Sequence, residues 1–197
     1  MPSRSTSRAA SNVRTQILGD LKEDHKRVKK AYRDFQKLDA QQDPESCEEL
    51  VLQVLDELSM HAAIEEELLY PAARDAIADA QLIDEAEVEH ESMHALIDQL
   101  RQMSPDDAKY AARFTVLCEY VLHHVKEEEG EMFPQLERAR LDWEGLAADI
   151  DERRAEMSGQ EQADDEASEH DEDGRTEDAD DRTIADKTAA RSIDRNA

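Results

Sequence analysis

The residues of this chain best suited to chemistry are histidines and glutamates set one helical turn apart. His61 and Glu65 form such a pair in HAAIEEELLYP, His90 and His94 in HESMH, and His124 and Glu128 in HHVKEEEGEMFP. A further histidine, His25, lies earlier in the chain without such a partner. Side chains four apart on an α-helix share a face, with Cβ atoms roughly 5–6 Å apart. Each pair could therefore clamp one cation or reach two neighbouring ones. Six of the seven histidines fall inside four apolar-periodic segments, so imidazoles and carboxylates would point inward from every helix of a bundle. That is the donor set of a metal site.

Four segments must position these residues. The first spans about 12–39, with Ile17, Leu21, His25, Val28, Tyr32 and Phe35 recurring every three or four residues and Ser11 as N-cap. The second opens at Asp43-Pro44, where a proline at the first helical position leaves no donor unpaired. Its stripe is Leu50 or Val51, Val54, Leu58, His61, Glu65 and Leu68, and Pro71 should kink or end it near Tyr70. The third covers roughly 81–102, with Ile83, Ala86, His90, His94 and Ile97 on one face. Ser104-Pro105-Asp106-Asp107 reads as the start of the fourth. That stripe is Ala112 or Arg113, Leu117, Tyr120 or Val121, His124 and Glu128, interrupted by Pro134. The second and fourth segments share H-x3-E followed by an aromatic and a proline (LLYP, EMFP), a hint of an internal pseudo-repeat.

Short loops between these segments imply an antiparallel up-down four-helix bundle, all-α, in which residues equidistant from a turn share a level. With the first turn near residue 42, His25 lies 17 residues before it and His61 lies 19 after, a match to about half a turn. With the second near 80, His61 and Glu65 meet the level of His90 and His94 if Pro71 shortens the path. The third is harder. A turn at 104 leaves His124 six or more residues out of level with His90 and His94, and the levels agree only if the midpoint lies near 108.

Composition bounds the rest. Fifty acidic residues against 24 basic ones give a net charge of −26, which argues against a nucleic-acid partner because phosphates repel such a surface. No apolar run approaches the roughly 20 residues of a membrane span. Cys47 and Cys118 are far apart and lack a CxxC neighbour, which speaks against a disulfide framework or thiolate zinc site and suits a reducing, cytoplasmic setting. Residues 1–11 read as a disordered Ser/Arg-rich lead-in, and 12–145 as the helical domain. Residues 150–197 read as a disordered acidic tail able to contact a basic protein partner, because isolated apolar residues there bury too little surface to offset ordering entropy.

A lone histidine on an apolar stripe is usually a hydrogen-bonded core residue, and that reading applies to His25 alone. Glu65 and Glu128 resist it, since an unpaired carboxylate among Leu, Val and Ile is strongly disfavoured. His123 points about 100° away from His124 and reads as rim. Glu66, Glu67, Glu127 and Glu129 read as solvated, although Glu129 could replace Glu128 if the helix carries a π-bulge. Met60, Met93 and Met132 read as core filler, and Tyr32 and Tyr120 as core aromatics.

On His25, H61-x3-E65, H90-x3-H94 and H124-x3-E128, in that order over roughly 15–140, the chain resembles the hemerythrin family, in particular the bacterial hemerythrin-like HHE cation-binding domains. The resemblance implies a four-helix bundle around two non-haem iron ions. His90, His94 and His124 would ligate one, His25 and His61 the other, with Glu65 and Glu128 bridging. Oxygen-carrying hemerythrins use an aspartate five residues after the last histidine and a shorter His94–His124 interval, so simple oxygen carriage is in doubt here. The imidazole and carboxylate set suits iron or manganese and does not exclude zinc. The expected function is binding, sensing or detoxifying dioxygen, nitric oxide or peroxide. A di-iron peroxidase or oxidase, or an iron store, stands as the alternative.

Overall fold

The computed structural model describes the backbone of residues 4–38 and 43–172, with side chains described for 10–38 and 43–159. All regular structure among the described residues is helical: α1 (Arg4–Phe35), α2 (Pro44–Ile64), α3 (Tyr70–Ala73), α4 (Gln81–Arg101), α5 (Tyr110–Glu127), α6 (Phe133–Leu136) and α7 (Trp143–Glu172). Two π-turns, Glu65–Leu69 and Glu128–Met132, join α2 to α3 and α5 to α6. The chain divides into two units, Met1–Ser158 and Gly159–Ala197. In the first, α1 packs on α2 and α5, and α4 packs on α2 and α5, which closes the expected up-down ring of four.

Each helix carries the same vertical pattern. On α1, Leu21 belongs to one apolar cluster and Val28 to another, with His25 between them. Leu58, then His61 and Glu65, then Leu69 repeat this along α2 and its π-turn. Ala86, His90 and Met93 do so on α4, and Val121 and Val125, then Glu128, then Met132 on the α5 strip. The core is thus two apolar clusters separated by a polar belt.

The helix starts partly follow the sequence. Pro44 opens α2, and the Asp43 carboxylate accepts from the Ser46 amide at 3.2 Å. Ser104-Pro105-Asp106-Asp107 does not open a helix. It folds as a turn in which Ser104 O accepts from Asp107 N (2.9 Å) and Asp107 O from Tyr110 N (2.9 Å), so α5 begins only at Tyr110. The first helix already starts at Arg4, so residues 4–11 are helical rather than a lead-in, in keeping with the helix-forming Arg-Ala-Ala run. Nor does order stop near 150. Trp143, Leu146 and Ile150, at helical spacing, are buried against the first cluster and anchor α7. Beyond them the helical backbone runs to Glu172, and the expectation for 173–197 lies outside the described residues.

Pro71 and Pro134 bend the pattern without ending it. A proline inside an α-helix has no N–H to give, and its ring strikes the carbonyl four residues back. Here the turn before each proline is widened: Tyr70 N–H bonds Glu65 O and Phe133 N–H bonds Glu128 O, each five residues back. Such widening relieves the clash and lets the helix continue.

Candidate metal centre

His25, His61, Glu65, His90, His124 and Glu128 meet in the polar belt, each with 6% or less of its surface exposed. His25 Nε2 faces His61 Nε2 at 3.2 Å, and His90 Nε2 faces His124 Nε2 at 3.0 Å. Glu65 Oε2 lies 3.1 Å from His61 Nε2 and 3.7 Å from His90 Nε2. Glu128 Oε2 lies 3.2 Å from His25 Nε2 and 3.4 Å from His124 Nε2. Each glutamate therefore touches one histidine of each facing pair.

The outward nitrogens are equally organised. Nδ1 of His25 rests on Glu129 (3.0 Å), of His61 on Asp24 (3.4 Å), of His90 on Glu66 (2.7 Å) and of His124 on Glu89 (2.8 Å). A carboxylate only accepts, so each Nδ1 carries the proton and each Nε2 turns a lone pair inward. Two facing lone pairs at about 3 Å repel unless a proton or a cation lies between them. In the metal-free protein a proton serves. Burial disfavours charge on His61, but Glu65 and Asp24 beside it outweigh burial and push the imidazole up to about 10. Glu128 does the same for His124, up to about 9. Burial alone would raise Glu128, yet His124 and His25 hold it well below the usual carboxylate range.

The arrangement fits metal ions. Donors about 2.1 Å from one ion and 90–109° apart stand roughly 3.0–3.4 Å from each other, which is the spacing of the imidazole and carboxylate contacts above. Glu65 Oε1 and Glu128 Oε2 are buried without a hydrogen bond, because the nearby imidazole nitrogens approach Glu128 Oε2 outside hydrogen-bond geometry. Orphaned buried carboxylate oxygens are costly unless a cation compensates them.

His94 alone among the expected ligands stands outside this ring. Its side chain is 42% exposed and its Nε2 rests on Glu66 Oε1 at 2.8 Å. The register explains why: the residue midway between His90 and His124 is 107, within the loop joining α4 and α5. His90 thus shares a level with His124, and His94 lies one turn nearer the loop. Glu128 rather than Glu129 occupies the ring, because the π-turn begins at Glu128 and leaves the His124–Glu128 spacing α-helical.

Tyr70 belongs to the site and was not among the expected residues. Its hydroxyl lies 3.0 Å from Glu128 Oε1, 3.3 Å from Glu65 Oε2 and 3.4 Å from His90 Nε2. Burial, then the two carboxylates, push it well above the usual phenol range, so it is a proton donor to them. Five residues on an α-helix turn about 140° past a full circle, so regular periodicity sets Tyr70 off the inward face. The π-turn brings it back over Glu65. At the equivalent place in the pseudo-repeat, the Phe133 ring stacks on His25 with centroids 5.8 Å apart. Asp24 and Glu89 carry no signal of this role in the sequence, Glu66 reads there as solvated, and Glu129, the alternative to Glu128, instead backs His25 from outside the ring.

Beside the ring lies a cavity of about 20 Å³, lined by the four inner imidazoles and mostly apolar neighbours such as Val28, Leu58, Met93, Ile97 and Val121. That is room for about one water-sized molecule. Among the described residues no helix is long and apolar enough to cross a membrane.

The model of the hemerythrin HHE cation-binding domain matches residues 16–136. A solved structure of a hemerythrin HHE cation-binding domain-containing protein from Mycobacterium kansasii is similar, with a TM-score of 0.56 and 26% identity over 69% of this chain and 85% of that one. A DNA nickase from Nostoc sp. is 29% identical over 113 residues, which are 57% of this chain but 31% of that protein. The chain spans about a third of the length of that relative.

Proposed function

Because the chain belongs to the hemerythrin HHE cation-binding domain family, we propose that its belt holds two iron ions and binds a small oxidant or gas: dioxygen, nitric oxide or peroxide. The observation that carries this reading is the pairing of four inward Nε2 lone pairs with four outward Nδ1–carboxylate contacts around two shared glutamates. His25 and His61 would hold one ion, and His90 and His124 the other. Glu65 and Glu128 would serve both. Bound iron supplies the electrons and the open position that such ligands need.

The chain's own residues do the remainder. Asp24, Glu66, Glu89 and Glu129 fix the tautomer and raise the basicity of the four imidazoles. The mostly apolar wall of the cavity limits water beside the ring, and its volume of about 20 Å³ suits a ligand of one or two heavy atoms. Tyr70 holds a proton between the carboxylates. That proton favours a second reading, turnover of peroxide, since cleavage of an oxygen–oxygen bond needs one. The strand-nicking activity in the relative's name is not carried over, because most of that protein lies outside the match and a charge of −26 repels DNA.

Anaerobic loading with ferrous iron, iron analysis and then admission of air or peroxide test the reading. Two irons per chain and a reversible visible absorption change in air are expected for binding. Steady peroxide consumption would favour turnover, and Glu65→Ala should lower the iron count below two. Full iron content in Glu65→Ala would refute the shared-ligand role.

A further inference from the structure

On the outer face of the α4–α5 pair lies a second donor cluster that the inner ring does not use. His123 Nε2 stands 3.3 Å from Glu127 Oε1 and 3.5 Å from Glu89 Oε1. One imidazole and two carboxylates thus converge within reach of a single cation. The His123 side chain is 61% exposed and that of Glu127 37%, so water completes any coordination sphere there. No lysine or arginine among the described residues pairs with either glutamate, and their only ionic partners there are His123 and His124.

Two observations separate this cluster from ordinary acidic surface. Glu89 faces both ways: Oε1 turns to His123, while Oε2 accepts from Nδ1 of His124, a member of the inner ring, at 2.8 Å. Behind the cluster, a narrow cavity is lined by Glu89, Glu127, His124 and Glu128. Glu128 is only 1% exposed and its Oε2 has no hydrogen-bond partner. In front, an open depression is lined by Asp84, Glu85, Glu89, His123 and Glu127. Glu89 and Glu127 line both cavities, so these two carboxylates stand between solvent and the ring residues His124 and Glu128.

We propose that Glu89, His123 and Glu127 form a surface site for a divalent transition-metal cation, through which the ion reaches the inner ring. This rests on the reading that the ring itself takes metal. Mixed imidazole and carboxylate donors suit first-row divalent ions, and three donors open to water bind weakly enough to release. The net charge of −26 raises the cation concentration at the surface, and a cleft of one sign focuses it. The ion moves inward by exchanging Glu127 for Glu128 while Glu89 and the adjoining His124 hold the passage.

The test uses the full-length metal-free chain and Co(II) alone, whose visible ligand-field bands report uptake in a stopped-flow experiment. The double variant His123→Ala/Glu127→Gln is compared with Glu49→Gln, which loses the same charge at an exposed position outside the cluster. Equal end-point intensity is expected, with uptake about tenfold slower in the double variant, the low end of what field focusing gives. A slowing of about threefold or more supports the port, and a smaller one overturns it. Absence of Co(II) bands in the wild type would defeat the inner-ring reading as well, which separates the two failures. As a second readout, with the ring filled by Zn(II), the wild type should retain one further weakly bound Mn(II) by electron paramagnetic resonance. Equal retention by the double variant overturns the site.

Discussion

Each inner histidine does two things at once: it turns a lone pair inward, and it has its tautomer chosen by a carboxylate behind it. Protons and a bound metal ion would therefore compete for the same nitrogens, and pH would report the contest. His61 and His124 have folded-state values of about 10 and about 9 against an ordinary 6.5. A raised value stabilises the fold fully below the unfolded value and ceases to do so as pH climbs through the folded one. The melting temperature of the metal-free protein should thus fall between pH 6.5 and 10. The metal-loaded protein, whose imidazoles carry no Nε2 proton, should be flat over that range in the same thermal scans. Glu128 has the opposite sign: its stabilisation is present above 4.5 and is lost as pH falls. Equal alkaline slopes with and without metal would contradict the shared-proton picture. The inward faces of His25, His61, Glu65, His90, His124 and Glu128 were legible because a carboxylate or imidazole on an apolar stripe stands out. The carboxylates behind them were not, since half-exposed acids such as Glu66 and Glu129 look like solvated surface in a sequence.

At the scale of elements, periodicity located the four helices but not the places where it breaks. Pro71 and Pro134 signalled disruption, yet the chain answers with π-turns that keep the helix running and swing Tyr70 and Phe133 onto the inward face. Nothing in an α-helical stripe encodes that rotation, so Tyr70 was missed. The α4–α5 connection shows the same limit: capping residues at 104–107 belong to a turn, and the loop extends to Lys109, which levels His90 with His124. The seventh helix was hidden for another reason. Its apolar stripe is only Trp143, Leu146 and Ile150, too short to stand out against an acidic background. Trp143 is nonetheless 3% exposed in the cluster that adjoins the belt. Trp143→Ala should destabilise the fold by about 3–5 kcal/mol, or roughly 6–20 °C in melting temperature for a chain of this size. Iron content should be unchanged, because α7 contributes no ring residue. A wild-type melting temperature in that variant would show that α7 is dispensable to the domain.

For the molecule as a whole, the belt lies between two apolar clusters, and both depend on it. Leu21 and Val28 on α1, or Leu58 and Leu69 along α2 and its π-turn, belong to different clusters with the histidines and glutamates between them. Without metal, the belt holds two buried carboxylates, each with an orphaned oxygen, and two imidazole pairs that need shared protons. On the proposed reading, metal would replace those protons and give the orphaned oxygens a partner. The unfolded chain has no such preformed ring, so binding energy becomes folding energy. At a free-ion concentration a hundred times Kd, one ion adds about 2.7 kcal/mol. That corresponds to about 5–10 °C per ion in a chain of this length, and somewhat more if both positions fill. Because the belt joins the clusters, they should melt together: chelation should lower a single transition rather than split it in two. Calorimetry of the iron-loaded and chelator-treated protein checks both the size of the shift and the number of transitions. A metal-free protein melting at the loaded temperature would mean that the belt is satisfied by protons alone.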